Sequence, residues 1–303
     1  MAIRVTQNML NNNMLRNLHQ SMRHMDKLQE QLSSGKKVSR PSDDPVVATR
    51  GMFYRSSLME VEQYQRNVDD AESWVELTDK TLDEVGNVMQ RISELLVYSG
   101  DGALSSSDLQ AMAQEVAQLK EHLGTLANQQ LNGKYIFGGS ATNIAPYNPA
   151  APTVSGGVGD FTSTNSEEVN LEVSQNVFVG ININAQNVFN YPNNAGNMFN
   201  VLDQILNTLN AGKSAASFGT AIKDQFDNLL SERAILGAKA NRIELVKDRL
   251  SVQEVNVTGL MSKNEDADSA KVITELKSQE NVHRAALGAG ARIIQPTLLD
   301  FLR

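Results

Sequence analysis

The chain has 303 residues, of which 27 are Lys or Arg and 35 are Asp or Glu, so its formal net charge at pH 7 is −8. This acidic balance disfavours nucleic-acid binding through a general surplus of positive charge. No apolar run approaches the ~18–20 residues of a membrane span, and the polar N-terminal sequence lacks the apolar core of a secretion signal. The chain has no cysteine, which excludes disulfides and thiolate chemistry.

Residues 1–40 carry an apolar stripe with helical spacing. The stripe consists of Leu15, Leu18, Met22, Met25, Leu28 and Leu32. We expect an amphipathic helix here, and we expect it to pair with a second amphipathic helix at residues 266–303. The segment Pro41-Ser-Asp-Asp-Pro45 predicts a turn with helix-capping chemistry, after which the next helix begins.

Residues 41–131 show the strongest periodicity in the chain. Spacings of three and four residues alternate through Val61, Tyr64, Val68, Ala71, Val75, Thr78, Leu82, Val85, Met89, Ile92 and Leu96. Such a seam is typical of coiled-coil packing, and Gly100-Asp-Gly102 predicts its end. A second seam from Leu109 to Leu126 follows, so we expect an antiparallel helical hairpin that forms the N-terminal part of a rod.

Residues 132–200 have a different composition and predict a small inserted domain that is mostly β. Between positions 131 and 201 there are only five charged residues, Lys134, Asp160, Glu167, Glu168 and Glu172. The period of the apolar residues changes to two at 169–173 and at 177–183, which places alternate side chains on one face of a strand.

Residues 201–265 return to helical spacing and predict the C-terminal part of the rod. Leu229, Leu236, Ile243, Leu250 and Val257 recur every seven residues, and residues 266–303 form the second terminal helix. The predicted fold class is mainly α. A long antiparallel helical, coiled-coil rod is built from both chain ends, and a small β domain is inserted in the middle.

Catalytic and metal-binding motifs are incomplete throughout the sequence. Gly212-Lys-Ser214 would need a glycine where Asn207 stands, and Asp266-Ala-Asp268 lacks the third ligand and the glycine of a calcium loop. The four histidines include no pair spaced to hold a metal on one helix face. We therefore expect no enzyme, no cofactor, no metal and no nucleic-acid partner.

Several long segments resemble the bacterial flagellin superfamily. The N-terminal one is Leu32-Ser-Ser-Gly-Lys-Lys-Val-Ser-Arg40-Pro41-Ser-Asp43-Asp44-Pro45, whose Arg-Pro-Ser-Asp-Asp-Pro form is similar to that of the hook–filament junction members. The C-terminal ones are 231–244, which includes Leu236, Asn241 and Arg242, then 264–270 and 295–303. The resemblance covers both ends of the chain, about two thirds of its length, and leaves the insertion unmatched.

This resemblance implies a structural adaptor of the flagellum that is required for motility. The resemblance also implies that the chain is exported through the type III apparatus without a cleaved signal peptide and lies outside the cell. The implied partners are the first hook-associated protein on the hook side, flagellin on the filament side, copies of the same chain in a ring, and an export chaperone on the C-terminal helix. No membrane insertion is implied.

The residues expected to act in assembly form three groups. The apolar assembly interface consists of Leu15, Leu18, Leu32, Leu287, Ile294, Leu298, Leu299 and Phe301. Arg40, Pro41, Asp43, Asp44 and Pro45 are expected to order the turn between the terminal helix and the rod. In the rod motif of Leu236, Asn241 and Arg242, we expect the arginine to pair with an acidic neighbour.

Two other functions remain open at this point. A flagellin-like filament subunit would have similar chain ends. A secreted helical-rod binding module would use its heptads to hold a partner in trans, and would dimerise on its own, whereas a junction subunit would be monomeric until it joins the hook or filament.

Overall fold

The computed structural model describes residues 7–101, 104–153, 156–161, 165–192 and 196–293. Its main helices are α1 (Gln7–Ser34), α2 (Pro45–Ser99), α3 (Ser106–Ala127), α6 (Gly219–Glu265) and α7 (Ser269–Ile293). The mainly α fold class is confirmed. None of the helices in the described ranges combines the length and the apolar composition that a membrane crossing requires.

The chain divides into two compact units. The terminal unit contains the chain up to Glu60 and from Gln253 onward, and the central unit spans Val61–Val252. Sequence-distant segments therefore meet in the terminal unit, whereas the central unit is continuous in sequence.

In the terminal unit, α1 packs against α7 in an antiparallel arrangement. Gln279 on α7 donates a hydrogen bond of 3.0 Å to the hydroxyl of Ser21 on α1, and Lys36 forms an antiparallel β-bridge with Asp266 just beyond the paired ends. Gly290 lies so close to the Met14 side chain that a Cβ there would collide with it.

The predicted seam of α2 is confirmed in the central unit. Its seam residues from Val61 to Leu96 are buried except for the partly buried Tyr64, and this includes the polar Thr78, whose hydroxyl donates to the main-chain oxygen of Trp74 at 2.7 Å. The hydroxyl group of Thr78 thus has a hydrogen-bond partner although it lies inside an apolar seam. α3 begins with a reciprocal capping box between Ser105 and Asp108. Its Glu115 pairs with Arg91 of α2 at 2.8 Å, and buried residues of both helices belong to one core.

α6 packs its heptad seam into the same core as α2 and α3. Leu229, Leu236, Ile243 and Leu250 are 1–2% exposed, whereas Val257, the last residue of the predicted heptad series, is only partly buried. The periodic stripe of α6 is therefore longer than the part of it that the core covers. Pairs of ionic contacts flank this seam, from Arg233 to two aspartates of α2 and from Lys247 to Asp69 and Glu72.

Within its described residues, the insertion contains three separate two-stranded antiparallel sheets. They pair β1 (Gln130–Leu131) with β2 (Lys134–Tyr135), β3 (Tyr147–Pro152) with β4 (Val158–Phe161), and β5 (Asn170–Ser174) with β6 (Val177–Gly180). Two helices follow, α4 (Ala185–Val188) and α5 (Met198–Asn210). The core of this region is aromatic, with ring contacts among Phe137, Tyr147, Phe161, Phe189 and Phe199.

The predicted alternation of residues 177–183 holds in only part of that segment. Val179, Ile181 and Ile183 are buried as expected, but Val177 is exposed and the strand already ends at Gly180. Val177 follows the tight turn at Asn176, whose positive φ of 59° bends the chain sharply. The turn brings Val177 to the exposed tip of the hairpin, where a period of two no longer reports burial.

A buried ion pair joins α3 to α5. The ammonium group of Lys120 contacts the carboxylate of Asp203, and their side chains are only 7% and 5% exposed. The second carboxylate oxygen of Asp203 has no hydrogen-bond partner. Such a pair contributes little net stability compared with apolar residues, but removing one partner leaves an uncompensated buried charge.

We predict that Asp203→Asn lowers the free energy of unfolding by about 3–5 kcal/mol, because the buried ammonium group of Lys120 then loses its ion pair with Asp203. The double variant Lys120→Met/Asp203→Leu should be at least as stable as the unmodified chain. Urea unfolding followed by circular dichroism measures both. Glu115→Gln, which breaks the exposed pair with Arg91, is the control and should change little. An Asp203→Asn variant as stable as this control would contradict the prediction.

Candidate functional site

The turn between α1 and α2 contains the motif of paired aspartates, and Asp44 caps α2. Its carboxylate oxygen Oδ1 accepts hydrogen bonds from the main-chain N–H groups of Val46 at 3.0 Å and Val47 at 3.1 Å. Pro45 occupies the first helical position, where the missing N–H costs nothing. Asp44 and Pro45 together determine where the long helix begins.

Asp43 points to a different partner from its neighbour. Its carboxylate lies 3.4 Å from the ammonium group of Lys27 on α1, and Arg40 lies 4.0 Å from Glu30 on the same helix. Both pairs are partly exposed, so each contributes modestly. They nevertheless connect the turn to the C-terminal part of α1.

Glu265, the last residue of α6, is the most enclosed charged group of this turn region. Its carboxylate receives hydrogen bonds from Arg55 at 2.6 Å and from Lys36 at 3.0 Å, and its side chain is 7% exposed. The carboxylate lies directly against Gly51 of α2, where any Cβ would collide with it. Glycine at position 51 is thus required for the carboxylate to approach α2.

The environment of Glu265 determines the charge state of its carboxyl group. Burial alone raises the pKa, but the hydrogen bonds from Arg55 and Lys36 and their positive charges outweigh it, so the pKa of Glu265 is lowered below its ordinary value of 4.5. The carboxylate therefore stays ionised at neutral pH, and its interactions stabilise the fold.

Main-chain hydrogen bonds also join the segment after α1 to the segment between α6 and α7. The N–H of Lys37 donates to the carbonyl of Glu265 at 2.6 Å, and the N–H of Ala267 donates to the carbonyl of Gly35 at 2.8 Å. The Asn264 amide donates to the carbonyl of Val47 at 2.9 Å. We name residues 35–55 and 264–268 together the terminal clasp, since they join the N-terminal and C-terminal parts of the chain.

The second acidic motif also caps a helix. Asp268 Oδ1 accepts hydrogen bonds from the N–H groups of Ala270 at 3.0 Å and Lys271 at 3.1 Å, at the start of α7. Across the described ranges, no group of three or more His, Asp or Glu side chains is arranged to hold a metal ion. Asp44 and Asp268 therefore both cap helices, whereas Asp43 pairs with a side chain of α1.

The apolar residues predicted for assembly remain largely uncovered where the structure describes them. Leu15, Leu32 and Leu287 are 48%, 40% and 46% exposed, and Leu18 is partly buried. Further exposed apolar side chains lie on the same two helices, at Met9, Met22, Ile273 and Val282. The other predicted members, Ile294, Leu298, Leu299 and Phe301, lie outside the described residues.

One residue of the rod motif lies in the core and the other two lie on the surface. Leu236 is 1% exposed in the seam, while Asn241 and Arg242 are exposed beside the buried Ile243. Within the described part of the chain, no acidic side chain forms an ion pair with Arg242. The expected ionic partner of Arg242 is thus not found among the described residues.

Sequence reasoning missed Glu265, Arg55 and Gly51. Glu265 lies inside a motif quoted for the family resemblance, but a single carboxylate has no periodicity, and its partners lie 229 and 210 positions away in sequence. The signal in the sequence was that residues 32–45 and 264–270, which the structure brings together, both lie in segments that resemble the flagellin superfamily.

We predict that Glu265→Gln weakens the terminal clasp by about 1–3 kcal/mol at neutral pH, because two charge-assisted hydrogen bonds are lost. Since the folded-state pKa is lowered, the contribution of Glu265 is complete above pH 4.5 and is lost as the pH falls through the folded value. Hydrogen exchange at the amides of Lys37 and Ala267 should therefore accelerate at low pH, relative to intrinsic rates, more in the unmodified chain than in the variant. Glu275→Gln, at an exposed pair, is the control; equal protection in all three chains would refute the role of Glu265.

Both segments of the terminal clasp fall within regions that match flagellin. The model of the bacterial flagellin N-terminal helical region matches residues 5–142, and the model of the C-terminal helical region matches residues 220–302. Together they cover nearly three quarters of the chain, and the insertion lies mostly between them.

Individual relatives match a larger share of the chain than the two family models do. Flagellar hook-associated protein 3 of Salmonella typhimurium is 28% identical over 280 residues, which is 86% of this chain and 87% of that protein. Flagellin of Bacillus subtilis is 24% identical over 319 residues, 99% of this chain and 100% of that protein. A solved hook-associated protein from Vibrio parahaemolyticus has the same fold, with a TM-score of 0.67 at 20% identity over 74% of this chain and 100% of that one. With both characteristic helical regions present in order, the chain belongs to the bacterial flagellin family.

Proposed function

We propose that this chain is a structural subunit of the bacterial flagellum that joins the hook to the filament. The observation that carries the proposal is the paired α1 and α7, which keep Leu15, Leu32 and Leu287 at 40–48% exposure. Exposed apolar stripes on an otherwise satisfied helix pair mark an interaction surface. Burial of such area in an assembly is worth roughly 25 cal/mol per Å².

The hook-associated position is favoured over a place in the filament. Identity with the Salmonella hook-associated protein is 28%, against 24% with the Bacillus flagellin. The Arg40-Pro-Ser-Asp-Asp-Pro45 form of the turn agrees with that preference. The two relatives are structural flagellar proteins, and the function proposed here includes no catalytic step.

The proposed partners follow from this position. The first hook-associated protein lies on the hook side, flagellin lies on the filament side, and copies of this chain form a ring between them. An export chaperone binds residues 266–303 before secretion and masks the apolar face of that segment. The chain leaves the cell through the type III apparatus without a cleaved signal peptide and acts outside the cell.

We predict that Leu15→Asp/Leu287→Asp abolishes incorporation into flagella and swimming in a strain that lacks its own copy of this protein. Both leucines are about half exposed, so the variant should keep its helix content and still be secreted as a subunit. Val97→Asp is the matched control, because Val97 is 76% exposed and lies in the central unit. Swimming cells with the double variant in their flagella would contradict the assembly role.

Immunogold labelling of isolated flagella separates the three functions. A junction protein should label one band at the boundary between hook and filament, whereas a filament subunit should label the whole filament. A secreted binding module should label neither, and the purified chain should then dimerise in solution. Either of the last two patterns would overturn the proposed function.

A further inference from the structure

α6 carries a second heptad seam on a side that its core leaves uncovered. Spacings of three and four residues alternate through Ile235, Ala238, Arg242, Leu245, Arg249 and Val252. All six side chains are exposed, and the exposed fractions of Leu245 and Val252 reach 70% and 62%. Residues spaced in this way share one face of a helix. We name these six residues the outer seam, because the buried seam through Leu236, Ile243 and Leu250 lies on another side of α6.

The two arginines of the outer seam have no acidic neighbour. No Asp or Glu stands three or four positions before or after Arg242 or Arg249, where a helix would bring it within reach. Within the described residues, neither guanidinium group forms an ion pair or a hydrogen bond. An exposed apolar stripe that contains two unpaired cations is suited to a partner surface that is both apolar and acidic.

The groove between α2 and α6 is such a surface. The buried Val75 and Ile243 and the partly buried Ala240 line its floor. Exposed carboxylates line its rims on both helices, at Glu72, Glu76, Asp79, Glu244 and Asp248. The groove therefore has an apolar floor between two acidic rims.

Two of these carboxylates lack a cation. Glu244 and Asp248 stand four positions apart, so their like charges are neighbours on the helix surface and repel each other. Lys247, which lies between them in sequence, pairs instead with Asp69 and Glu72 of α2. In the described part of the chain, neither Glu244 nor Asp248 has an ionic partner. A cation from another molecule would relieve their repulsion.

Gly237, which also lines the groove, indicates that another chain approaches closely. A glycine inside a helix costs about 1 kcal/mol relative to alanine. A Cβ added at Gly237 would meet nothing within 4 Å, so the described chain gives no steric reason for this glycine. Absence of a side chain here leaves room for a second helix against the groove.

Charge complementarity identifies a second copy as the occupant. The central unit, which contains both surfaces, has 23 acidic and 12 basic residues, so a copy of it attracts an exposed pair of arginines. Each copy carries two unpaired cations on the outer seam and two unpaired anions at the groove. The outer seam and the α6 side of the groove belong to the same helix, so they cannot meet within one chain.

We propose that the outer seam of α6 packs into the groove between α2 and α6 of a neighbouring copy. Leu245 contacts the floor beside Gly237, and the two arginines of the seam pair with Glu244 and Asp248. Seam and groove are different surfaces, so the contact is heterologous and generates a ring or a helix of subunits. The contact between two chains stands on its own, and its place in the flagellum rests on the proposed function.

Disulfide formation between two full-length chains tests the contact in solution, since the chain has no cysteine of its own. A Leu245→Cys chain is mixed with a tagged Gly237→Cys chain at up to about 1 mM, which reaches a weak contact. Oxidation should give the mixed disulfide faster than either disulfide between identical chains. Val97→Cys replaces Gly237→Cys in the control, because Val97 is exposed elsewhere in the central unit. A mixed disulfide that forms no faster than in this control overturns the contact.

A charge exchange tests the pairing itself. Arg242→Glu/Arg249→Glu in the Leu245→Cys chain should slow the mixed disulfide about tenfold, which corresponds to ~1.4 kcal/mol, because two attractions become repulsions. Glu244→Arg/Asp248→Arg in the Gly237→Cys chain should do the same. The two reversed chains together should restore the rate, which unfolded chains could not do. Reversals without effect, or a combination no faster than either reversal alone, overturn the pairing.

A photoreactive p-benzoylphenylalanine at position 245 tests the contact in isolated flagella, because it links to whatever lies against the outer seam. We expect dimers of this chain in which the linked peptide comes from the groove around Gly237. No linked product, or a link to a different flagellar protein, overturns a second copy as the occupant in the flagellum. A chain that is secreted and folded but absent from flagella contradicts the proposed function instead, and the disulfide rates then decide the contact by themselves.

Discussion

The terminal unit depends on one buried carboxylate. Burying Glu265 at the end of α6 is unfavourable unless its charge is compensated, and Arg55 and Lys36 provide that compensation from α2 and from the turn after α1. The carboxylate can approach α2 this closely because residue 51 is a glycine and has no side chain. Once these groups meet, the end of α6 lies beside the end of α1, and α7 can run back along α1. A charge interaction thus gives the two chain ends their register, which the leucine stripes alone would leave loosely defined.

The same kind of leucine pattern has opposite outcomes in the two units. In the central unit, Leu229, Leu236 and Leu250 are 1% exposed, because α2, α3 and α6 share one core. In the terminal unit, α1 and α7 cover part of each other's stripe, for example Leu28 at 3% exposure, while Leu15 and Leu287 stay about half exposed. Two packed helices cover a smaller part of their apolar stripes than three do, so part of the stripes of α1 and α7 stays exposed in the single chain.

What could be predicted from the sequence follows from which interactions are periodic. The seam of α2 was predictable because eleven positions repeat one rule, and the turn at Pro41–Pro45 because capping residues stand next to the helix they cap. Glu265 with Lys36, and Lys120 with Asp203, were not predictable, since each is a single pair separated by 229 or 83 residues. The prediction that Val177 faces the core was wrong, because a tight turn at Asn176 exposes this residue and the alternating pattern contains no information about the turn.

The half-exposed leucines of α1 and α7 and the terminal clasp differ in what they can specify. Apolar contacts are non-directional and tolerate neighbouring registers, so the leucines provide affinity without a defined geometry. The carboxylate of Glu265, which accepts hydrogen bonds from Arg55 and Lys36, combines oriented donors with opposite charges, and such groups specify orientation more than they add affinity. The clasp therefore sets the direction in which α7 runs along α1, while Leu15 and Leu287 on the same two helices stay about half exposed.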